Sequence, residues 1–590
     1  MCAFREFRCF SCLRRESFPG GPGPKNPPPF QLQVDYSSFG MVAAGQPLAT
    51  WAGVQMLEAG GNAADAAVAA AFAIAVVEPA MNSIGGRTQI LIRLPDGEFR
   101  GIDATTQAPA TYDPDTAPQA GYGYAVIGVP GAVAGLVRLQ GEFGTLPLET
   151  VMGPAIRYAR EGFHVNSGEA GHFASAAEEA SEFEGTRKYY LKPDGTPYRA
   201  GELLVNEDLA TTLTTIAKTE GEDFYRGEIA HRMADDILAH GGVVTFESLR
   251  DYRAEEALLV RGSYRGYDLV GNYIPSAGAL TIEALQILEN FDLGSMAPAE
   301  RTAHVGLALS LAFEDWALQG SPEMAELLTS KEWAAQRAAE IHVGAGVGVG
   351  ADAAGSVATG GAADGAAVPA GGDPTSWHAQ DLPGGSDPWG HLTGGHTTHL
   401  STADDSGMMV ALTQTLGPTM GSKVVTPGLG FLYASTLGGY LGRVEPGERA
   451  RSNISPFMVM DHGTPLLVLG AAGGAQIPVA VVNAIVHFID DGLPFPEAVT
   501  APRVGPDRRG GVVLETHEGA GFTPELVEAV RALGLTVRET PREAAFGRVH
   551  GIRYFSETGR WEGVADPDWG GSALGARFRP GEPRPQGGGE

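Results

Sequence analysis

The strongest constraint on this chain's architecture is a break near its middle. From residue 343 to 396 the sequence runs "VGAGVGVGADAAGS…GGSDPWGHLTGGH", rich in glycine and alanine and without helical or strand periodicity. A segment with so little apolar surface to bury does not offset the entropy of ordering it, so it reads as a flexible linker. Residues 34 to 342 before it carry mostly helical patterns, with strand-like runs at their start. After it, "TTHLSTA" and "MMVALTQT" flank a "DDSG" turn, and "SPFMVM", "PLLVLGAA" and "GGVVLE" are further strand-like runs. Strands on both sides of the linker imply one layered α/β unit rather than two independent domains.

Local signals sharpen the first half. "LATWAGVQMLEAGGNAADAAVAAAFAIAVVEP" predicts a helix closed by Gly60 and Gly61, then a second helix with Asn62 as N-cap and Pro79 beyond its end. The alanines of the second helix imply close packing inside a layer. "TQILIRL" (88–94) and "EFRGIDA" (98–104) read as a hairpin across "PDG". Further helices are expected at 132–141, 148–161, 208–218, 227–240, 279–290 and 299–318, and in the second half within "IPVAVVNAIVHFIDDG" and "TPELVEAVRALG". Residues 1–33, with "FPGGPGPKNPPPF", and the final "GEPRPQGGGE" are expected to be disordered tails.

Composition excludes several function classes. The net charge of −29 disfavours nucleic acid and anionic membrane as partners, because phosphate binding needs clustered Lys and Arg. The longest apolar run, "AAVAAAFAIAVV" (66–77), falls short of the roughly 18 residues of a membrane span. The three cysteines, Cys2, Cys9 and Cys12, all precede the folded part, which therefore has no internal disulfide and no thiol nucleophile. "CFSC" has the spacing of half a zinc site but lacks a second ligand pair, so no metal is expected. Arg and Glu interrupt the N-terminal apolar residues too often for a signal peptide, and the expected location is cytoplasmic.

A threonine that opens a strand just after a dispensable linker suits one mechanism. Thr397 can attack the carbonyl of His396, cut the chain there, and become a new N-terminus. Its freed α-amine, with an ordinary pKa near 8, then serves as general base for its own hydroxyl. Thr415 lies eighteen residues on, through the "DDSG" turn, and would face Thr397 across the hairpin. Gly473 and Gly474, after an apolar strand and before a helix, present backbone N–H groups for an oxyanion. His399 falls on the same strand face and reads as a structural hydrogen-bonding residue; Asp404 and Asp405 read as turn residues.

Over roughly residues 39 to 570 the chain resembles the γ-glutamyltransferase (γ-glutamyltranspeptidase, glutathione hydrolase) family of N-terminal nucleophile hydrolases. The matching blocks include "GMVAAGQPLATWAGVQMLEAGGNAADAAVAAAFAIAVVEP", "IGVPGAVAGL", "DFYRGEIA", "TTHLSTADDSGMMVALTQT", "RSNISP", "GAAGG" and "GVADP". The resemblance implies a four-layer αββα sandwich built jointly by a large segment (34–396) and a small segment (397–590), separated by autocleavage between His396 and Thr397. It also implies Thr397 as nucleophile, Thr415 as supporting hydroxyl, Gly473 and Gly474 as oxyanion hole, and Ser452 as a contact for a substrate α-carboxylate. No cofactor is expected, and the partners are a small-molecule amide and a water or amine acceptor.

The substrate clamp departs from the family pattern. Thr105 stands where the family has an arginine for the glutamyl α-carboxylate, and Gly438 and Gly439 stand where it has an Asp pair for the α-ammonium. Gly417 replaces an asparagine, Asn453 a serine, and Arg87 a glycine of the Gly-rich loop. A zwitterionic glutamyl head would then lack both charged partners, at a cost of several kcal/mol. Two readings follow. One is a γ-glutamyl transferase or hydrolase. The other is an acylase for amides without the amino-acid head, of oxamate or glutaryl type, with Arg87 binding a carboxylate from another direction. A catalytically silent scaffold is a third alternative.

Overall fold

Two seven-stranded antiparallel sheets, stacked face to face, form the centre of the molecule. The computed structural model describes residues 33–118, 120–343, 396–507, 511–516, 521–540 and 546–578. The expected tails apart from Gln33, and the expected linker apart from Val343 and His396, lie outside the described residues.

The first sheet runs in the order Ser572–Gly575, Gly40–Ala44, His396–Asp404, Met409–Gly417, Arg87–Arg93, Phe99–Ala104, Glu255–Glu256. The second runs Gln33–Ser37, Arg560–Ala565, Arg548–Phe555, Thr464–Ala472, Phe457–Asp461, Tyr267–Asn272, Leu259–Tyr264. Each sheet mixes strands from before and after residues 344–395, so neither segment has a complete sheet without the other.

Strand alternation sorts side chains into layers. Met41, Leu91, Ala403, Met409 and Ala411 of the first sheet meet Val270, Met458, Val468, Ile552 and Trp561 of the second in a shared inner core. The opposite face of the first sheet, with Ile90, Ile92, Leu400, Val410 and Leu412, packs on the helices Pro47–Glu58, Ala63–Val77 and Ala132–Phe143. The outer face of the second, with Phe457, Val459, Leu467 and Leu469, packs on Gly278–Glu289 and Gln476–Ile489, and Pro298–Glu314 packs on Gly278–Glu289 in turn. The result is helix, sheet, sheet, helix: the expected αββα sandwich.

The alanine helix Ala63–Val77 is buried along its entire length, and only small side chains let a helix sit that close to both a sheet and other helices. Asn62 caps it, accepting from the amides of Ala64 (2.9 Å) and Asp65 (3.1 Å), while Asp65 accepts from the Asn62 amide (2.8 Å). Asp65, fully buried, also accepts from Thr145 (amide 3.0 Å, hydroxyl 2.7 Å), the Leu146 amide (2.9 Å) and Gln140 Nε2 (2.6 Å). The motif "NAAD" is thus a joint between helices.

Three expectations need correction. The first half is not strand-poor after its opening hairpin, because Glu255–Glu256, Leu259–Tyr264 and Tyr267–Asn272 add strands to both sheets. The turn between the last two is the pair Arg265 (φ 51°) and Gly266 (φ 88°), with an arginine where asparagine or aspartate is usual. Long-range contacts hold it: the Arg265 guanidinium pairs with Asp490 (3.0 Å) and donates to the carbonyl of Phe291 (2.7 Å). "GGVVLE" belongs to neither main sheet. Gly511–Glu515 forms a separate three-stranded sheet with Val504–Asp507 and Thr536–Thr540. Gln33, expected in the tail, instead opens a strand that pairs with Arg560–Ala565.

Candidate active site

In the strand His396–Asp404 the even-numbered side chains face the helix layer. Thr402 Oγ1 donates to the Ala63 carbonyl (2.7 Å), and Asp404 accepts from the Ala63 amide (2.8 Å). The odd-numbered ones therefore face the other sheet, Thr397 among them. Register places Thr397 opposite Thr415, and Thr415 opposite Arg87. Three side chains from three neighbouring strands thus form one row at the end of the inner face.

The hydroxyls in this row are connected. Thr397 Oγ1 donates to Thr415 Oγ1 (3.1 Å), and Thr415 Oγ1 donates to the carbonyl oxygen of His396 (2.6 Å). The Gly417 amide also donates to Thr415 Oγ1 (2.9 Å). The Thr415 oxygen thus gives one bond and takes two, which saturates it and fixes its direction. The register slips between His396 and Thr397, since His396 pairs with Gly417 and Thr397 with Thr415. This bulge lets the Thr415 hydroxyl reach back to the carbonyl between the two.

Thr397 opens onto a cleft also lined by Thr415, Gly417, Ser452, Asn453 and Gly474. Gly474, with φ 59°, immediately precedes the N-terminus of the helix Gln476–Ile489, where the peptide dipoles favour negative charge. Gly473 (φ 141°) sits one step behind, against Gly547, and does not line the cleft. Ser452 is anchored through its amide to the Pro275 carbonyl (2.9 Å). Asn453 Oδ1 is buried without a hydrogen-bond partner among the described residues.

Arg87 is 1% exposed, yet it lines this cleft. Its Nε and Nη1 atoms are buried and without hydrogen-bond partners among the described residues. Burial lowers its pKa to about 10, partly opposed by Tyr440 beside it, so it stays cationic at neutral pH. Arg451 and Trp316 contribute further walls, and no acidic side chain lines the cleft among the described residues. Thr105 is fully buried elsewhere, accepting from Gln89 Nε2 (2.8 Å). At Gly438 a side chain would run into the Ala120 carbonyl at 2.6 Å, so an acid has no room there.

His399 is the structural residue expected. It is fully buried, bonded to Thr413 Oγ1 (2.8 Å) and Ser401 Oγ (3.0 Å), and burial holds its pKa well below the ordinary range. His396 is a strand residue whose buried ring stands edge-on to His172 at 4.6 Å. Sequence reasoning missed Arg548. It is 2% exposed, donates to the Thr397 carbonyl (3.1 Å), and approaches Glu78 at 3.6 Å. Its only sequence signal is a cation opening the apolar strand "RVHGIRYF". Burial raises the Glu78 pKa, and Arg548 opposes that rise.

Known proteins share this organisation. The family model for gamma-glutamyltranspeptidase matches residues 49–576. The glutathione hydrolase proenzyme of Escherichia coli strain K12 is 31% identical, over 92% of this chain and 93% of that protein. The acylase ACY 1 proenzyme of Pseudomonas sp. strain V22 is 34% identical, over 86% of this chain and 88% of that protein. The crystal structure of cephalosporin acylase from Bacillus halodurans superposes with a TM-score of 0.77 at 28% identity, covering 95% of this chain and 99% of that one. Sequence blocks, sandwich and family match agree: the chain belongs to the gamma-glutamyltranspeptidase family, and it is an N-terminal nucleophile hydrolase.

Proposed function

We propose that this protein is an autoprocessed threonine amide hydrolase or acyltransferase that works through an acyl ester on Thr397. The observation that carries the reading is the hydroxyl path from Thr397 through Thr415 to the His396 carbonyl. In the uncut chain, Thr397 Oγ attacks the His396 carbonyl carbon while the Thr415 hydroxyl supports the oxyanion. The C–N bond then breaks as the hydroxyl proton passes to the nitrogen, leaving an ester and a free α-amine, and water opens the ester to give the His396 carboxylate and a free Thr397 hydroxyl. In turnover the α-amine takes the Thr397 hydroxyl proton as the oxygen attacks the substrate amide. The N–H of Gly474, which lines the cleft beside the N-terminus of the helix Gln476–Ile489, supports the new oxyanion. The amine leaves with the proton, and water or an acceptor amine releases the acyl group.

The test is intact mass spectrometry of the purified protein and of Thr397→Ala. Two fragments split between His396 and Thr397 are expected from the parent, and one uncut chain from the variant. A single uncut parent chain, or a cut Thr397→Ala chain, would overturn the reading.

Family membership favours γ-glutamyl amides as donors. A second donor class, acyl groups without an α-ammonium, is favoured by one observation: the cleft offers no carboxylate among the described residues. Comparing γ-glutamyl-p-nitroanilide with simple N-acyl p-nitroanilides separates the two.

A further inference from the structure

We infer that Arg87, Gly417 and Tyr440 form a carboxylate-binding unit in the acyl pocket, so that the preferred donor is the monoamide of a short dicarboxylic acid. This rests on acyl transfer through Thr397 and adds what the acyl group must carry at its far end.

Position comes first. Arg87 stands two strands from Thr397 in the same row, a spacing of about 10 Å between backbones. Its side chain covers part of that gap from one end, and an acyl chain esterified to Thr397 would cover the rest from the other. That spacing calls for an acyl chain of a few carbons rather than a bare oxalyl group.

The second point is the state of the guanidinium. Two of its buried nitrogens have no hydrogen-bond partner among the described residues, and a buried cation in that condition is costly unless a ligand completes it. A planar guanidinium accepts a carboxylate through two parallel N–H bonds, which makes a terminal carboxylate the matching group. The absence of an acidic side chain in the lining, among the described residues, disfavours a donor with an α-ammonium.

The third is Gly417. A Cβ there would lie 2.8 Å from Tyr440 Cε1 and 3.1 Å from Arg87 Nη2, and the backbone φ of 94° disfavours any other residue. Gly417 thus supplies the space in which the guanidinium and the phenol ring lie together, while its amide holds Thr415. Acyl recognition and the catalytic hydroxyl meet at this residue.

The test uses the processed full-length enzyme. Malonyl-, succinyl-, glutaryl- and adipyl-p-nitroanilide are compared with butyryl-p-nitroanilide and γ-glutamyl-p-nitroanilide as donors. An optimum within the dicarboxylic series is expected, with kcat/KM above that of both reference donors. Free glutarate should inhibit competitively and its diamide should not. In Arg87→Met the preference for glutaryl over butyryl donors should collapse by at least about 30-fold, and Arg87→Lys, which keeps the charge but not the fork, should fall between. The proposal is overturned if the parent enzyme shows no preference for carboxylate-bearing donors, if γ-glutamyl-p-nitroanilide matches the best of them, or if Arg87→Met leaves the preference intact. Should Arg87→Met fail to fold, the donor series and the glutarate inhibition on the parent enzyme still decide. Failure of the acyl-Thr397 reading is distinct: the Thr397→Ala chain would then still turn over butyryl-p-nitroanilide.

Discussion

Replacing Thr415 by valine keeps the shape of the side chain and removes one oxygen with three hydrogen bonds. The Thr415 hydroxyl is the donor at 2.6 Å to the His396 carbonyl, the group on which negative charge develops during chain cutting. Loss of one donor to such an oxyanion costs about 2.7 to 4 kcal/mol, or 10²- to 10³-fold in rate. Stability also falls, because the buried Gly417 amide and Thr397 hydroxyl lose their acceptor, at about 1 to 3 kcal/mol for an unsatisfied group. The assay is pulse-labelled synthesis followed by gel separation of precursor and fragments over time, with a thermal melt of the accumulated precursor. The Thr415→Val precursor is expected to be folded and to split at least 100-fold more slowly than the parent, and Thr415→Ser should recover most of the rate. A folded Thr415→Val precursor that cuts within about threefold of the parent rate, where the oxyanion argument requires far more, would refute the role given to this hydroxyl.

Other perturbations probe different links. In Gly473→Ala the new Cβ would sit 2.7 Å from Gly547 Cα at a φ of 141°; a loss of about 1 to 3 kcal/mol in stability and of turnover in the cut enzyme is expected, and unchanged kcat and melting temperature would refute it. Asp65→Ala strips a buried carboxylate of its amide, hydroxyl and side-chain donors and should lower stability by about 3 kcal/mol or more, read from urea midpoints; a loss under about 1 kcal/mol would show that the joint is not anchored there. Burial, reinforced by the charge of Arg548, holds the His172 imidazole at about 4, below its ordinary 6.5. The unfolded chain therefore takes up a proton below pH 6.5 that the fold excludes down to about 4, so stability is lost as pH falls through that window, by about 1.4 kcal/mol per pH unit for this group. His172→Gln should reduce the slope of stability against pH between 6.5 and 5 by up to one proton, and an unchanged slope would refute the assignment.

Much of the site is visible in the linear chain because its chemistry is local. Thr397 and Thr415 lie on one hairpin, and a turn between two alternating strands fixes which residues face each other. The capped alanine helix is equally local, since Asn62 and Asp65 are three residues apart. The strand Arg548–Phe555 is different. Nothing near Arg548 in sequence says that its guanidinium reaches the Thr397 carbonyl, because the contact spans 151 residues. Arg265 at the second hairpin is a similar case: its left-handed backbone is unfavourable locally and is held by Asp490, 225 residues away.

The same division holds for function. Alternation, caps and the threonine at a strand start follow from interactions between near neighbours, and they are enough to point to the layered architecture and to Thr397 as the proposed nucleophile. The acyl-recognition unit inferred above is made of residues that only sheet formation brings together. Arg87 faces Thr415 through strand register, Tyr440 arrives on a distant loop, and Gly417 provides the space between them. Which cations and acids a substrate meets is a matter of burial and registry across strands, and those are properties of the packed sandwich rather than of any stretch of chain.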